Sequence, residues 1–352
     1  MNKNIIPHRL KTARKIQGLS MEGLSKKMEG LISKQAISKY ELGQMQPSDS
    51  VLEVMARALH VSTEYFFNQG KTISNIKFRI DPRMPAKSSA QMVSITQDKL
   101  EHYLNIEELL AISTKVVNPL KRIKIRNRQD IERAAIKLRE AWHLGNLPIF
   151  SVYEILESHG VKVIEFEAEV SSILGFSTFA EDTIPLIVIN LSANHTTERK
   201  RFTAMHELGH LFLHFDETLN ESQCERFCNI FAAEVLCPAS VVRRELGESR
   251  TALTLDELIS LRNRYGISIA AGVHQAKDLG IITEAYYNEI FNVHIHKNRM
   301  EQGWGSYPIE EKTTRFERLL SRCVAEGHLT LEEAAHYSNE KPKCYKRKLI
   351  VL

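Results

Sequence analysis

Residues 201–214 read Arg-Phe-Thr-Ala-Met-His-Glu-Leu-Gly-His-Leu-Phe-Leu-His, and their centre, His206-Glu207-Leu208-Gly209-His210, sets what the rest of the chain has to build. Residues four apart lie one above the other on a helix, so both imidazoles point the same way and can share one Zn²⁺. Glu207 then sits where it can take a proton from a water that the metal activates. Phe202, Met205, Leu208, Gly209, Leu211 and Phe212 fall at helical spacing, and no proline interrupts before Asp216, so the pattern predicts a helix here.

Zinc in a hydrolytic site needs a third protein ligand and an open position. Downstream the chain offers His214, Asp216, Glu217, Cys224, Glu225, Cys228 and Glu234. His214 shares the face of His206, but eight residues of helix separate the two by roughly 12 Å. No glycine between His210 and His214 turns the chain back, so His214 is expected to support the site from behind rather than to ligate. Glu225 is the better third ligand: it reads as opening a helix, Glu225 to Val235, long enough to pack back against the first. Asn229 shares its face and can orient a histidine through the other ring nitrogen. Cys228 lies on that face too; it reads as a buried small residue, with a redox-sensing or ligand-swapping thiol as the alternative. Glu234 is the fallback ligand, although its place near the helix end suits a surface or capping contact. Tyr153 and His195 are further candidates for the cleft.

Upstream of the helix, Asp130 to Trp142 and Ile149 to His159 read as helices. Val161 to Phe166, Ile173 to Ser177 and Ile184 to Ile189 read as strands, the last nearly all apolar and therefore buried. This is an α+β layout, a few strands flanking one helix that carries chemistry. Residues 71–127 form a connecting region in which Ile73 to Ile80 alternates as a strand would, Asp81 to Pro85 breaks the pattern, and Leu100 to Ile112 reads as a helix.

The net charge of +4 is concentrated at the start: residues 1–70 carry ten Lys/Arg against six Asp/Glu, so the remainder is neutral. That segment is where a polyanion would be met. It reads as five short helices, the first stopping at Gly18, the second capped by Ser20, the third running from Lys34 to Glu41 behind a Ser33 cap, the fourth opened by Pro47-Ser48 and the fifth by Ser62-Thr63. Two short helices joined by a tight turn are the sequence form of a helix-turn-helix. The stretch "LSMEGLSKKMEGLISKQAISKYELGQMQPS" at 19–48 resembles the Cro/C1-type, or Xre, DNA-binding module, and by that resemblance Ser33, Lys34, Gln35, Ser38 and Lys39 are the expected DNA contacts. The chemistry agrees, since Gln can bond an adenine edge and Lys can reach guanine or phosphate. Ile37 and Tyr40 are packing residues. A five-helix protein-interaction bundle with merely solvated polar residues is the alternative.

Five cysteines without a paired spacing, no apolar leader at the N-terminus and no stretch approaching 18 apolar residues lead to the expectation of a cytoplasmic protein without a membrane span.

"RFTAMHELGHLFLH" followed by "ERFCNIFAAEVLCP" resembles the ImmA/IrrE family of metallopeptidases, in its long form with an N-terminal repressor-type domain. The resemblance implies a multidomain chain: a helix-turn-helix domain at 1–70, a zincin-like α+β domain at 128–250 and a helical region at 251–352. It implies His206, His210 and Glu225 as zinc ligands and Glu207 as general base. It further implies binding as a homodimer to a double-stranded DNA operator, and a protein substrate, commonly a repressor or antitoxin encoded nearby, cleaved under stress. The alternative is a non-catalytic transcription factor or antitoxin of a toxin–antitoxin pair, whose peptidase-like domain senses a ligand or grips a partner. One departure is Cys228, where the family mostly has Ala.

Beyond Thr254 the chain reads as helices at 255–265, 268–279, 283–292, 316–326 and 330–337. The Gly266-Ile267-Ser268 link resembles a second helix-turn-helix, but the helix after it lacks a basic face and is expected to pack against the peptidase-like domain. The lysines at 341, 343, 346 and 348 read as a solvated basic tail.

Overall fold

The computed structural model describes residues 5–67, 73, 76, 86–112, 115–167, 174–191, 196–299, 301–338 and 340–349. The expected strand 73–80, the breaker cluster 81–85, the start of the strand at Ile173 and the cleft candidate His195 lie wholly or largely outside these residues. The chain forms two compact units, one of residues 1–114, 180–183 and 314–352, the other of 115–179 and 184–313. No helix among the described residues is long and apolar enough to cross a membrane.

The first unit begins with α1 (Ile6–Ile16), α2 (Met21–Lys27), α3 (Lys34–Glu41) and α4 (Asp49–Leu59), followed by a 3₁₀ turn, Thr63–Phe67. Ser20, Ser33 and Ser48 each accept a backbone N–H three residues on and so start α2, α3 and α4 where the sequence places them. Leu10, Leu24, Ile37, Leu52, Met55, Leu59 and Phe66 close a common core. Across it Arg14 grips Glu41 through two hydrogen bonds, Nε–Oε1 at 2.5 Å and Nη2–Oε2 at 2.7 Å, tying α1 to the end of α3.

Helix α5 (Ala86–Leu109) starts 14 residues before the helix expected at 100–112. The reason lies in what it buries. Ser89, Ser94, Thr96 and Asp98 are all buried, so no apolar stripe announces the first half. Several of the helix's buried polar groups have partners: Ser94 Oγ donates to the Ala90 carbonyl at 2.9 Å, the Tyr65 hydroxyl to Asp98 at 3.0 Å and Arg9 Nη1 to Glu101 at 2.7 Å.

The second unit holds β1 (Lys124–Ile125), α6 (Arg128–Ala141), α7 (Val152–Ser158), β2 (Lys162–Phe166), β3 (Gly175–Ala180), β4 (Ile184–Asn190), α8 (Thr197–Phe212), β5 (His214–Phe215) and α9 (Glu221–Leu236). Its three-stranded sheet has the order β2-β4-β3, with β2 and β4 parallel from Lys162↔Leu186 to Phe166↔Asn190. Two expectations are corrected. Helix α7 begins at Val152 instead of Ile149, because Ser151 caps it. Helix α9 begins at Glu221 instead of Glu225, because Asn220 and Gln223 form a reciprocal capping box four residues earlier. Helices α10 (Ala239–Leu246), α11 (Leu255–Tyr265), α12 (Ile269–Asp278) and α13 (Glu284–Ile290, continued by a π turn) complete the unit. As expected, α12 buries Ile269, Val273 and Ala276 in the common core and offers no basic reading face.

Three C-terminal helices return to the first unit: α14 (Arg315–Ala325), α15 (Leu331–Tyr337) and α16 (Pro342–Lys348). The lysines of the basic tail are exposed, as expected, and are carried on a helix. Pro342 opens α16 at a position that needs no N–H, and Tyr345 buries against the preceding helices.

Candidate metal centre and nucleic-acid interface

Helix α8 is started by the Thr196 side chain, which accepts from Arg199 N. It is anchored by Arg201, which is fully buried, ion-paired with Glu311 and donating to the carbonyls of Ile149 and Phe150. Helix α9 packs along it, and the contact is tight at Gly209, where a Cβ would fall 3.1 Å from the Cys228 Sγ. That approach brings three donors together. His206 Nε2 and His210 Nε2 are 3.0 Å apart, and the Glu225 oxygens lie 3.2 Å from each.

These three are the group among the described residues whose ligand atoms converge tightly enough to hold a metal ion. The donor set fits zinc on two counts. Two imidazoles and a carboxylate are its ordinary hydrolytic ligands, and bonds of about 2.0–2.1 Å in tetrahedral array put neighbouring donors about 3.3 Å apart. The observed 3.0–3.2 Å edges come close to that. The Glu225 side chain is half exposed, so the cluster is open on its side.

Asn229 sits one turn beyond Glu225, and its Oδ1 lies 2.9 Å from His206 Nδ1. An amide oxygen only accepts, so the ring proton is on Nδ1 and the Nε2 lone pair faces the cluster. Glu207 is nine-tenths buried, and the Ser177 hydroxyl donates to its Oε2 at 2.7 Å. Burial pushes its carboxyl above the ordinary value, against the opposing effect of the Ser177 hydrogen bond.

The other sequence candidates are placed elsewhere. His214 is on β5, paired with Lys124, exposed, and makes no hydrogen bond to the cluster; α8 ends at Phe212 and the chain turns extended before reaching it. Tyr153 is sealed in the core. Cys228 is fully buried against Gly209, and burial pushes its thiol well up, which leaves it a packing group without thiolate character. Glu234 is buried and accepts from Ala239 N, capping α10. Ser177 and Arg201 are the residues sequence reading missed; Ser177 follows a glycine in an ordinary-looking strand, and nothing local marks it.

On the first unit, Lys34, Gln35 and Lys39 are exposed and Ser38 half-buried along one face of α3, while Ile37 and Tyr40 are buried on the other. The side chains of Lys34, Gln35, Ser38 and Lys39 make no hydrogen bond or ion pair with the described residues, so they are available to a ligand. Ser33 is exposed and caps the helix through its Oγ.

Residues 10–66 match the helix-turn-helix family and residues 156–277 match the IrrE N-terminal-like domain. Comparison with curated proteins finds no match. The chain thus carries an Xre-type helix-turn-helix and, after it, an ImmA/IrrE-like domain.

Proposed function

We propose that this chain is a DNA-binding transcriptional regulator whose IrrE-like domain is a zinc-dependent endopeptidase acting on a partner regulatory protein. The observation that carries the reading is the convergence of His206, His210 and Glu225 beside a buried Glu207. A purely structural zinc would favour cysteine ligands and would have no use for an unligated carboxylate at this position.

His206, His210 and Glu225 would hold the ion, which supplies Lewis acidity towards water and a peptide carbonyl. Asn229 keeps His206 in the tautomer that presents Nε2. Glu207 accepts a proton from the attacking water and passes it to the departing amine nitrogen, a role its raised proton affinity suits. The water adds to the carbonyl carbon, the C–N bond breaks, and one acid and one amine leave. Lys34, Gln35, Ser38 and Lys39 bind operator DNA through the major groove, in two copies of the chain on two half-sites.

The test is co-expression with the protein encoded beside this chain, comparing wild type with Glu207→Gln. Wild type is expected to process the partner and alter transcription; Glu207→Gln is expected to do neither while retaining metal. Unchanged processing and output in the variant would replace this reading with a non-catalytic regulator or antitoxin that senses a ligand or grips its partner.

A further inference from the structure

The face of α8 that carries Glu207 meets β3 in two successive rungs. At the first, a Cβ on Gly175 would fall 2.8 Å from the Val188 carbonyl oxygen and 2.9 Å from the Thr203 Cγ2. Only a residue without a side chain lets the strand lie this near the helix. The second rung follows from repeat lengths. Two residues of strand advance about 6.7 Å and four residues of helix about 6 Å, so Ser177 arrives opposite Glu207. There the Ser177 Oγ donates to Glu207 Oε2 at 2.7 Å. Oε1 has no hydrogen-bond partner among the described residues.

We propose that Ser177 is a positioning residue for Glu207, holding Oε2 so that Oε1 is the one oxygen offered for proton transfer. The proposal rests on the hydrolytic reading above. A carboxylate with both oxygens loose can rotate between orientations; one tethered oxygen removes that freedom and fixes where the proton is taken up. Gly175 contributes by setting the distance between strand and helix, and the two act together as a Gly-x-Ser strand segment matched to Thr-x-x-x-Glu on the helix.

The test uses the zinc-loaded full chain and acetohydroxamate, a small chelating acid whose hydroxyl bonds to a carboxylate beside the metal. Ser177→Thr keeps the hydroxyl and Ser177→Val keeps the shape of Thr without it, so the pair controls for packing. Thermal midpoints and zinc affinity by chelator competition are expected to match between the two. Ser177→Val is expected to bind acetohydroxamate about tenfold more weakly than Ser177→Thr, and to add nothing once Glu207→Gln is present. Equal affinity of the two, or a Val effect that persists in the Glu207→Gln background, overturns the positioning role. Should Glu207→Gln itself bind acetohydroxamate as wild type does, the hydrolytic reading falls and this inference with it.

Discussion

Gly209 and Cys228 are in direct contact: a Cβ at Gly209 would lie 3.1 Å from the cysteine Sγ and 3.4 Å from its Cα. The Cys228 Cβ lies 3.3 Å from the same point and moves only with the backbone, so rotating the thiol alone cannot relieve the crowding. Gly209→Ala is therefore expected to push α9 outward by a few tenths of an ångström and with it Glu225, weakening zinc binding about tenfold. Cys228→Ala, which leaves the helices where they are, is expected to keep wild-type affinity. Chelator competition on the two variants checks both.

Asn229 fixes the His206 ring through Nδ1. Asn229→Ala frees the ring to adopt the other tautomer and is expected to lower zinc affinity about tenfold, and Asn229→Asp to retain it, because a carboxylate accepts the same proton. Titration of both variants with zinc measures the effect directly.

How much of this was legible beforehand varies with the kind of interaction. Caps were legible: Ser20, Ser33 and Ser48 each sit before a helix and bond its first turn, which is chemistry local in sequence. So was the juxtaposition of His206 with His210, which helical repeat alone dictates. The approach of Glu225 needed an inference that α9 returns along α8, and the start of that helix was misplaced because the Asn220–Gln223 capping box went unread. Only the second half of α5 is legible, because the first buries Ser89, Ser94, Thr96 and Asp98 and so shows no apolar stripe. Ser177 was invisible, since its partner lies 30 residues away on another element.

The Arg14–Glu41 pair is buried on both sides, with side-chain exposures of 9% and 2%. Removing one partner leaves the other's charge uncompensated, a loss of about 3–5 kcal/mol. Glu41→Ala is accordingly expected to unfold the first four helices at growth temperature and abolish promoter binding in a mobility-shift assay, while zinc content stays at the wild-type level. Gln35→Ala with Lys39→Ala, by contrast, is expected to leave the melting temperature intact and lose only DNA affinity.

Burial raises the Glu234 carboxyl from its ordinary 4.5 to about 7, partly offset by the hydrogen bond from Ala239 N. Because the folded-state value lies above the unfolded one, the stability this group contributes is complete below pH 4.5 and is lost as pH rises through 7. The loss amounts to at most about 3 kcal/mol. Glu234→Gln keeps the acceptor for Ala239 and removes the titration. Urea unfolding at pH 5 and pH 8 is expected to show a smaller decline for the variant than for wild type.

The central claim is that His206, His210 and Glu225 form one zinc site served by an unligated Glu207. Metal analysis of the purified full chain after zinc loading and desalting tests it most directly. One zinc per chain is expected in wild type and in Glu207→Gln, and almost none in His206→Ala, His210→Ala or Glu225→Ala. Full zinc content in any of those three alanine variants, or its loss in Glu207→Gln, would contradict the account.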